Sequence, residues 1–169
     1  MDLPIETTRL RLTELTLTDL ADYENLIMIP EISVGAGFNL VSNPKMLGAV
    51  ARRQVTAPNS FGIRVKGRLV GAILLHEQVG FDYQPDHANL ELSYFLHPDW
   101  WHKGIMSEAL IKLIEELTAS KTIKTLNAEV FSSNQASKGV LKKAGFQKKT
   151  TLIDPLVSKE KVIYQRALR

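Results

Sequence analysis

Residues Leu90 to Leu110 read LELSYFLHPDWWHKGIMSEAL, and the spacing of the apolar residues changes inside this one stretch. Over Asn89 to Leu96 the period is two: Leu90, Leu92, Tyr94 and Leu96 face one way, and Asn89, Glu91, Ser93 and Phe95 the other, as in a strand. From Gly104 it is helical. Met106, Ala109 or Leu110, Leu113 and Leu117 form one stripe, and Glu108 and Lys112 are set to pair on the outside. A strand therefore runs through a short polar loop into a long helix. The first N–H groups of such a helix lack partners and the dipole there is positive, so the junction attracts phosphate. Gly104 has no Cβ, so an anion can lie against its backbone, while His102 and Lys103 add donors or charge. The same residues also suit an ordinary helix start, with Gly104 serving the turn and the tryptophans filling the edge of the core. A nucleoside-triphosphate loop is not expected, because its earlier glycine and its Gly-Lys-Ser/Thr ending are missing.

Outward from this junction, strand and helix patterns alternate without repeats. Thr8 to Thr13 alternates as a half-buried strand. A helix follows, capped by Thr18, carrying Leu20, Tyr23, Leu26 and Ile27 at helical spacing and stopping at Pro30. Glu31 to Pro44 reads as irregular, and a second helix starts at Pro44 with Asn43 as its cap, ending before Pro58. Phe61 to Val65 and Leu69 to Val79 form a hairpin around Lys66-Gly67-Arg68. Beyond the long helix come a strand at Thr125 to Phe131, a short helix from about Gln135, and a final strand at Lys161 to Ala167. The short helix carries Ala136, Val140, Leu141 and Ala144 on its apolar stripe, with Gly145 as its stop. This order implies a mixed sheet covered by helices, an α/β (α+β) architecture in one domain over residues 1–169.

Composition narrows the function classes. The 21 basic and 18 acidic residues are interspersed and give a net charge of only +3, so no basic face announces nucleic acid. The chain has no cysteine, hence no disulfide framework and no thiol nucleophile, which fits a reducing compartment. The opening MDLPIETTRL lacks a cationic segment followed by an apolar one, and no apolar run approaches the roughly 20 residues that span a bilayer. A soluble, cytoplasmic protein with no membrane partner is expected. His76, His87 and His97 have no metal-ligand spacing, so no metal is expected.

A second informative stretch is SSNQASKGVLKKAGF, in which Asn134 and Ser137 stand at a helix entrance. Both could point toward the end of the sheet, or simply cap the helix, with Gly145 and Phe146 as a stop and a packing anchor.

Taken together, the chain resembles the GNAT superfamily of acyl-CoA-dependent N-acetyltransferases, and within it the RimJ/RimL-like ribosomal-protein branch. Thr7, Arg9, Leu10 and Leu12 match a T-x-R-L-x-L opening, and LELSYFLHPDWWHKGIMSEAL resembles the strand-bulge-loop signature. Asn134, Ser137, Leu141, Lys143, Gly145 and Phe146 match N-x-x-S-x-x-x-L-x-K-x-G-F. The resemblance covers nearly the whole chain and implies the GNAT fold, a mixed central sheet with a splayed strand pair flanked by helices.

It also implies roles. The pyrophosphate loop Q/R-x-x-G-x-G/A falls on Trp101, His102, Lys103, Gly104, Ile105 and Met106, with Ser107 following. Trp101 stands in place of Gln or Arg, His102 where many members carry a glycine, and Met106 in place of a small residue. The pantetheine arm would pair with backbone at Phe95, Leu96 and His97, and an N–H near Leu96 would stabilise the oxyanion. Ser137 would assist the departing thiolate, since the tyrosine many relatives use falls at Leu141, and Asn134 would orient the pantetheine arm. Glu91 or Glu129 is the candidate base, Glu91 because it lies on the bulge-bearing strand and Glu129 because a different ribosomal-protein branch uses that position, with water as the alternative. The implied reaction is acetyl transfer from acetyl-CoA to a primary amine, a protein N-terminus being preferred. A small-molecule amine (polyamine, amino sugar or amino acid) and a non-catalytic acyl-CoA-binding domain stay open, as do monomer and homodimer. The acceptor region would be Glu31 to Pro58 with Phe81 to His87.

Overall fold

The computed structural model describes residues 1–35 and 43–168. Its elements in chain order are β1 (Ile5–Glu6), β2 (Arg11–Glu14), α1 (Leu20–Ile27), α2 (Pro30–Gly35), α3 (Pro44–Thr56), β3 (Ser60–Val65), β4 (Arg68–Val79), β5 (Pro85–Leu96), α4 (Ile105–Ser120), β6 (Thr125–Phe131), α5 (Gln135–Lys143), β7 (Gln147–Ile153) and β8 (Glu160–Ala167). They form two compact units, one of Asp2–Leu74 with Tyr94–Ala109, the other of Leu75–Ser93 with Leu110–Arg169 and Met1. No helix among the described residues is long and apolar enough to cross a bilayer.

In the first unit β1, β2, β3 and β4 pair antiparallel in sequence order. The strand expected at Thr8–Thr13 begins only at Arg11, because Thr7 to Leu10 form a tight turn. Thr7 N–H donates to the Leu10 carbonyl at 2.9 Å, and the Thr7 hydroxyl accepts from Arg9 N–H at 3.2 Å and Leu10 N–H at 3.1 Å. That turn sets Arg9 at the tip of the β1–β2 hairpin. The expected hairpin between β3 and β4 closes through Lys66 and Gly67, both at positive φ, as a two-residue turn matched to strand twist requires. Helix α1 begins at Leu20 rather than beside Thr18, because residues Leu17–Asp19 form a 3₁₀ turn in which the Asp19 carboxylate accepts from Thr16 N–H at 3.0 Å. Pro30 does not open an irregular stretch. Proline's fixed φ suits a first helical turn, and α2 starts on it. Residues 36–42 of the stretch read as irregular, and of the expected acceptor region, lie outside the described residues. Asn43 does cap α3, its side chain accepting from Lys45 N–H at 2.9 Å. Tyr23, Leu26 and Ile27 of α1 share one buried cluster with Ala51 and Val55 of α3, Leu69, Ala72 and Leu74 of β4, and Phe95 of β5. Phe95 lies on the strand side opposite Leu96, yet it is buried, its ring 5.5 Å from that of Tyr23. Toward its end, β5 is therefore covered on both faces.

In the second unit β5 and β6 are parallel, whereas β6–β8 and β8–β7 are antiparallel, so the sheet is mixed. A parallel pair needs a long crossover, here supplied through α4. The register of β5 with β6 runs from Asn89↔Thr125 to Leu92↔Ala128, and the two strands continue to Leu96 and Phe131. Leu126, Ala128 and Val130 are buried along β6, as are Leu110, Leu113, Ile114 and Leu117 along α4. The Glu108–Lys112 pair expected on α4 does not form. Lys112 bonds Glu115 at 2.6 Å, and Glu108 turns to partners far away in sequence. Strand β7 was not expected either, since every residue of it is exposed and no alternation marks it.

Candidate active site

The candidate residues fall into two groups, one in each compact unit. In the first unit, β5 ends beside the start of β4, where His97 N–H donates to the Val70 carbonyl at 2.7 Å. Backbone groups alternate in direction along a strand, so the Leu96 N–H and C=O face away from β4. The Leu96 carbonyl accepts from the Trp101 indole N–H at 2.7 Å. Of the three backbone positions expected to meet the pantetheine arm, Leu96 thus presents its amide on the edge opposite β4, while the His97 amide is committed to Val70. The His97 ring accepts from Asp99 N–H at 3.1 Å and caps the 3₁₀ turn Pro98–Trp100.

The following loop is set by two left-handed residues, His102 (φ 57°) and Gly104 (φ 74°). Lys103 donates through Nζ to the Asp99 carbonyl at 2.7 Å and lies over the Trp100 ring, 5.2 Å from its centre. Its charge is thereby held beside the loop. Ile105 and Met106 are buried, so their side chains turn inward while their amides belong to the first turn of a 16-residue helix. The Met106 side chain, which stands in place of a small residue, is therefore turned away from the solvent side of the loop. A Cβ built on Gly104 meets only Arg9 Nη2, at 3.5 Å, so it is the backbone angle that demands glycine there. Unpartnered first-turn amides, a positive helix end and a glycine backbone make a cradle that fits a pyrophosphate.

His102 occupies a conformation that costs a non-glycine residue about 1–2 kcal/mol. His102→Gly removes that strain and adds about 0.5–1 kcal/mol of unfolded-state entropy. A net gain of up to about 1 kcal/mol is expected, raising Tm by about 2–4 °C in calorimetry. A lower Tm would mean that the imidazole makes a contact worth more than the strain.

Arg9, Thr7 and Glu108 complete this group. Arg9 Nε donates to Glu108 Oε2 at 2.7 Å and Nη1 to the Lys103 carbonyl at 2.8 Å, and Arg9 Nη2 and the Thr7 hydroxyl also bond the Glu108 carboxylate. Partial burial works to raise the Glu108 pKa, but hydrogen bonds from Thr7 and Arg9 and the Arg9 charge outweigh it, and the net shift is downward. Gly71 is the other residue that sequence reading missed. A Cβ there would lie inside contact distance of the Phe95 carbonyl oxygen and 3.1 Å from Leu96 Cα, so only glycine lets β4 approach β5 at this point. A lone glycine within the apolar run LVGAILL was the available signal.

In the second unit, Glu91 stands in register with Asn127, and Glu129 lies two residues farther along β6 on the same face. Burial raises the Glu91 pKa, and the Glu129 charge adds to the rise, against opposing effects of His76 and Lys161. A half-buried carboxylate of raised pKa is a stronger base than a solvated one. Glu129 is exposed and bonds Lys161 at 3.3 Å, and Lys161 also bonds Asp154 at 2.7 Å. His76 lies 3.3 Å from the Ser93 hydroxyl, and His87 bonds Glu77 at 2.6 Å. No group of three or more metal-ligating side chains gathers among the described residues. Asn134 caps α5, its side-chain oxygen accepting from Ser137 N–H at 3.0 Å, which leaves its Nδ2 as a donor. Ser137 is half-buried in the first turn, and Leu141 is fully buried.

A family model described as an acetyltransferase (GNAT) domain matches residues 9–147. The Bacillus subtilis (strain 168) protein YoaA, described as an uncharacterized N-acetyltransferase, is 33% identical over 66 residues, which is 39% of this chain and only 37% of YoaA. Among solved structures, a GNAT-family acetyltransferase from Bacillus anthracis superposes with a TM-score of 0.81 at 16% identity, covering 98% of this chain and 99% of the other. RimL, a ribosomal-protein alpha-N-acetyltransferase solved with coenzyme A, superposes with a TM-score of 0.80 at 14% identity, covering 97% of each chain.

Proposed function

We propose, from the premise that this chain belongs to the GNAT acetyltransferase family, that it moves an acetyl group from acetyl-CoA to the α-amine of a protein N-terminus. The observation that carries this reading is the loop Trp101–Ser107, in which two left-handed residues lead into the amide-rich start of α4. The T-x-R-L opening, which belongs to the RimJ/RimL-like pattern and is bonded to this loop through Arg9, supports that branch and with it a protein acceptor. The lack of cysteine suits a cytoplasmic setting.

Acetyl-CoA supplies the thioester. The amides of Gly104 to Ser107 would hold its pyrophosphate, and Asn134 Nδ2 would orient the pantetheine arm. The Leu96 N–H would meet the negative charge that develops on the carbonyl oxygen. As the amine nitrogen bonds to the carbonyl carbon and the carbon–sulfur bond breaks, the Ser137 hydroxyl would donate a hydrogen bond to the leaving sulfur, which ends as the thiol by taking up the proton that the nitrogen loses on becoming an amide. Glu91 would take the proton that the ammonium group must lose before attack.

Two measurements test the reading. At 100 times its Kd, acetyl-CoA is expected to stabilise the fold by about 2.7 kcal/mol, raising Tm by about 5–10 °C. Gly104→Val, which forces a branched residue to positive φ within the cradle, is expected to abolish that rise. Thiol release with a panel of N-terminal peptides, ribosomal proteins, polyamines and amino sugars then identifies the amine. No Tm shift at millimolar acetyl-CoA would sink the proposal, and turnover confined to polyamines or amino sugars would sink its acceptor.

A further inference from the structure

We propose that Arg9 is the positioning residue of the Trp101–Ser107 loop, aiming the Gly104 amide toward the donor's pyrophosphate by gripping the Lys103 carbonyl and Glu108 at once; this rests on the reading of that loop given above. The physical basis is the geometry of one peptide plane. Carbonyl and N–H point in opposite directions across a trans peptide, so fixing the Lys103 carbonyl on Arg9 Nη1 at 2.8 Å turns the Gly104 N–H the other way. The next plane is fixed too, since the Gly104 carbonyl accepts from Glu108 N–H at 3.0 Å. Glu108 is held at both ends, by this backbone bond and by the Arg9 fork through its carboxylate. Gly104, which populates either sign of φ readily, would otherwise leave this segment loose.

Charge supplies a second reason. Glu108 puts a carboxylate in the first turn of α4, where it would repel a phosphate, and Arg9 neutralises it. Folding stability alone is a poor explanation, because the Arg9 side chain is 47% exposed and such pairs add little. Lysine could keep the charge but not the fork, which reaches a carboxylate and a carbonyl together.

The test compares two acetyl donors, acetyl-CoA and S-acetyl-pantetheine, the latter lacking the pyrophosphate. The proteins are the unaltered chain, Arg9→Lys, Arg9→Ala and the control Arg11→Ala, which removes the neighbouring Arg11–Glu6 pair at 3.0 Å. Both Arg9 variants are expected to raise KM and calorimetric Kd for acetyl-CoA about tenfold or more, with kcat at saturation within about twofold. Arg11→Ala is expected to match the unaltered chain, and with S-acetyl-pantetheine all four proteins should share one KM. If Arg9→Ala fails to fold, Arg9→Lys carries the test. Unweakened acetyl-CoA binding by Arg9→Lys overturns the inference, and so does an equal KM penalty with both donors, which would mean a general structural role. Failure of the unaltered chain to bind acetyl-CoA would remove the functional reading itself, whereas normal binding with an indifferent Arg9→Lys removes this inference alone.

Discussion

Ser137→Ala is expected to lower kcat by up to about 10²- to 10⁴-fold, the range of a lost general acid, while acetyl-CoA affinity stays nearly unchanged. The helix cap survives this substitution. Asn134 caps α5 through the backbone N–H of Ser137, at 3.0 Å, and alanine keeps that N–H. Alanine also has the better helix propensity, so the first turn should not loosen. Asn134→Ala is different. It removes the cap itself, at a cost of about 1 kcal/mol, so slower turnover there would mix helix fraying with lost orientation of the donor. Leu141 is fully buried and apolar and cannot substitute as an acid. The measurement is kcat with the best acceptor, beside calorimetric affinity and a thermal melt for each variant. An unchanged kcat in Ser137→Ala would return Ser137 to a plain helix-entrance role and leave protonation of the thiolate to water.

Gly71→Val is expected to lower Tm by about 6–12 °C, corresponding to at least about 3 kcal/mol, and to cut turnover of the surviving folded protein about 10²-fold. A side chain at this position would meet backbone, namely the Phe95 carbonyl oxygen and Leu96 Cα at 3.1 Å, and backbone cannot rotate away. The strands must part at the point where His97 N–H bonds the Val70 carbonyl at 2.7 Å, which carries Leu96 and its amide out of place. Gly71→Ala should show a milder form of both effects, since a single methyl meets the same atoms. Melts and kcat, taken where each variant remains folded, separate the two consequences. Normal stability and normal rate in Gly71→Ala would show that β4 can move off β5 at no cost.

Some parts of this fold could be read directly from the chain because their causes are local. The switch from period two to helical period around Gly104 located the end of β5 and the start of α4, and Lys66-Gly67 announced the hairpin that the structure contains. Asn43 and Asn134 both cap the helices they precede. What escaped depends on distant partners. Strand β7 has no inward face, so no alternation marks it, and only its pairing with β8 makes it a strand. Gly71 looks like a gap in an apolar run until the backbone of β5 is beside it. Helical spacing offered Lys112 to Glu108, but an arginine 99 residues away takes the carboxylate, because a fork donor and a threonine hydroxyl satisfy both of its oxygens. Among the candidate site residues, sequence reading named Glu91 for its strand alone. The burial that raises its pKa comes from tertiary packing and leaves no mark in the local pattern.

The placement of the aromatic residues gives this molecule an optical property. Its only two tryptophans are Trp100 and Trp101. One lies beneath the Lys103 ammonium, 5.2 Å from the ring centre, and the other spends its indole N–H on the Leu96 carbonyl at 2.7 Å. Indole emission responds to nearby charge and to hydrogen bonding at the ring nitrogen, so all of the native tryptophan fluorescence originates beside the loop that precedes α4. Events at that loop can be followed by light without attaching a label, and rearrangements elsewhere in the chain contribute no tryptophan signal of their own.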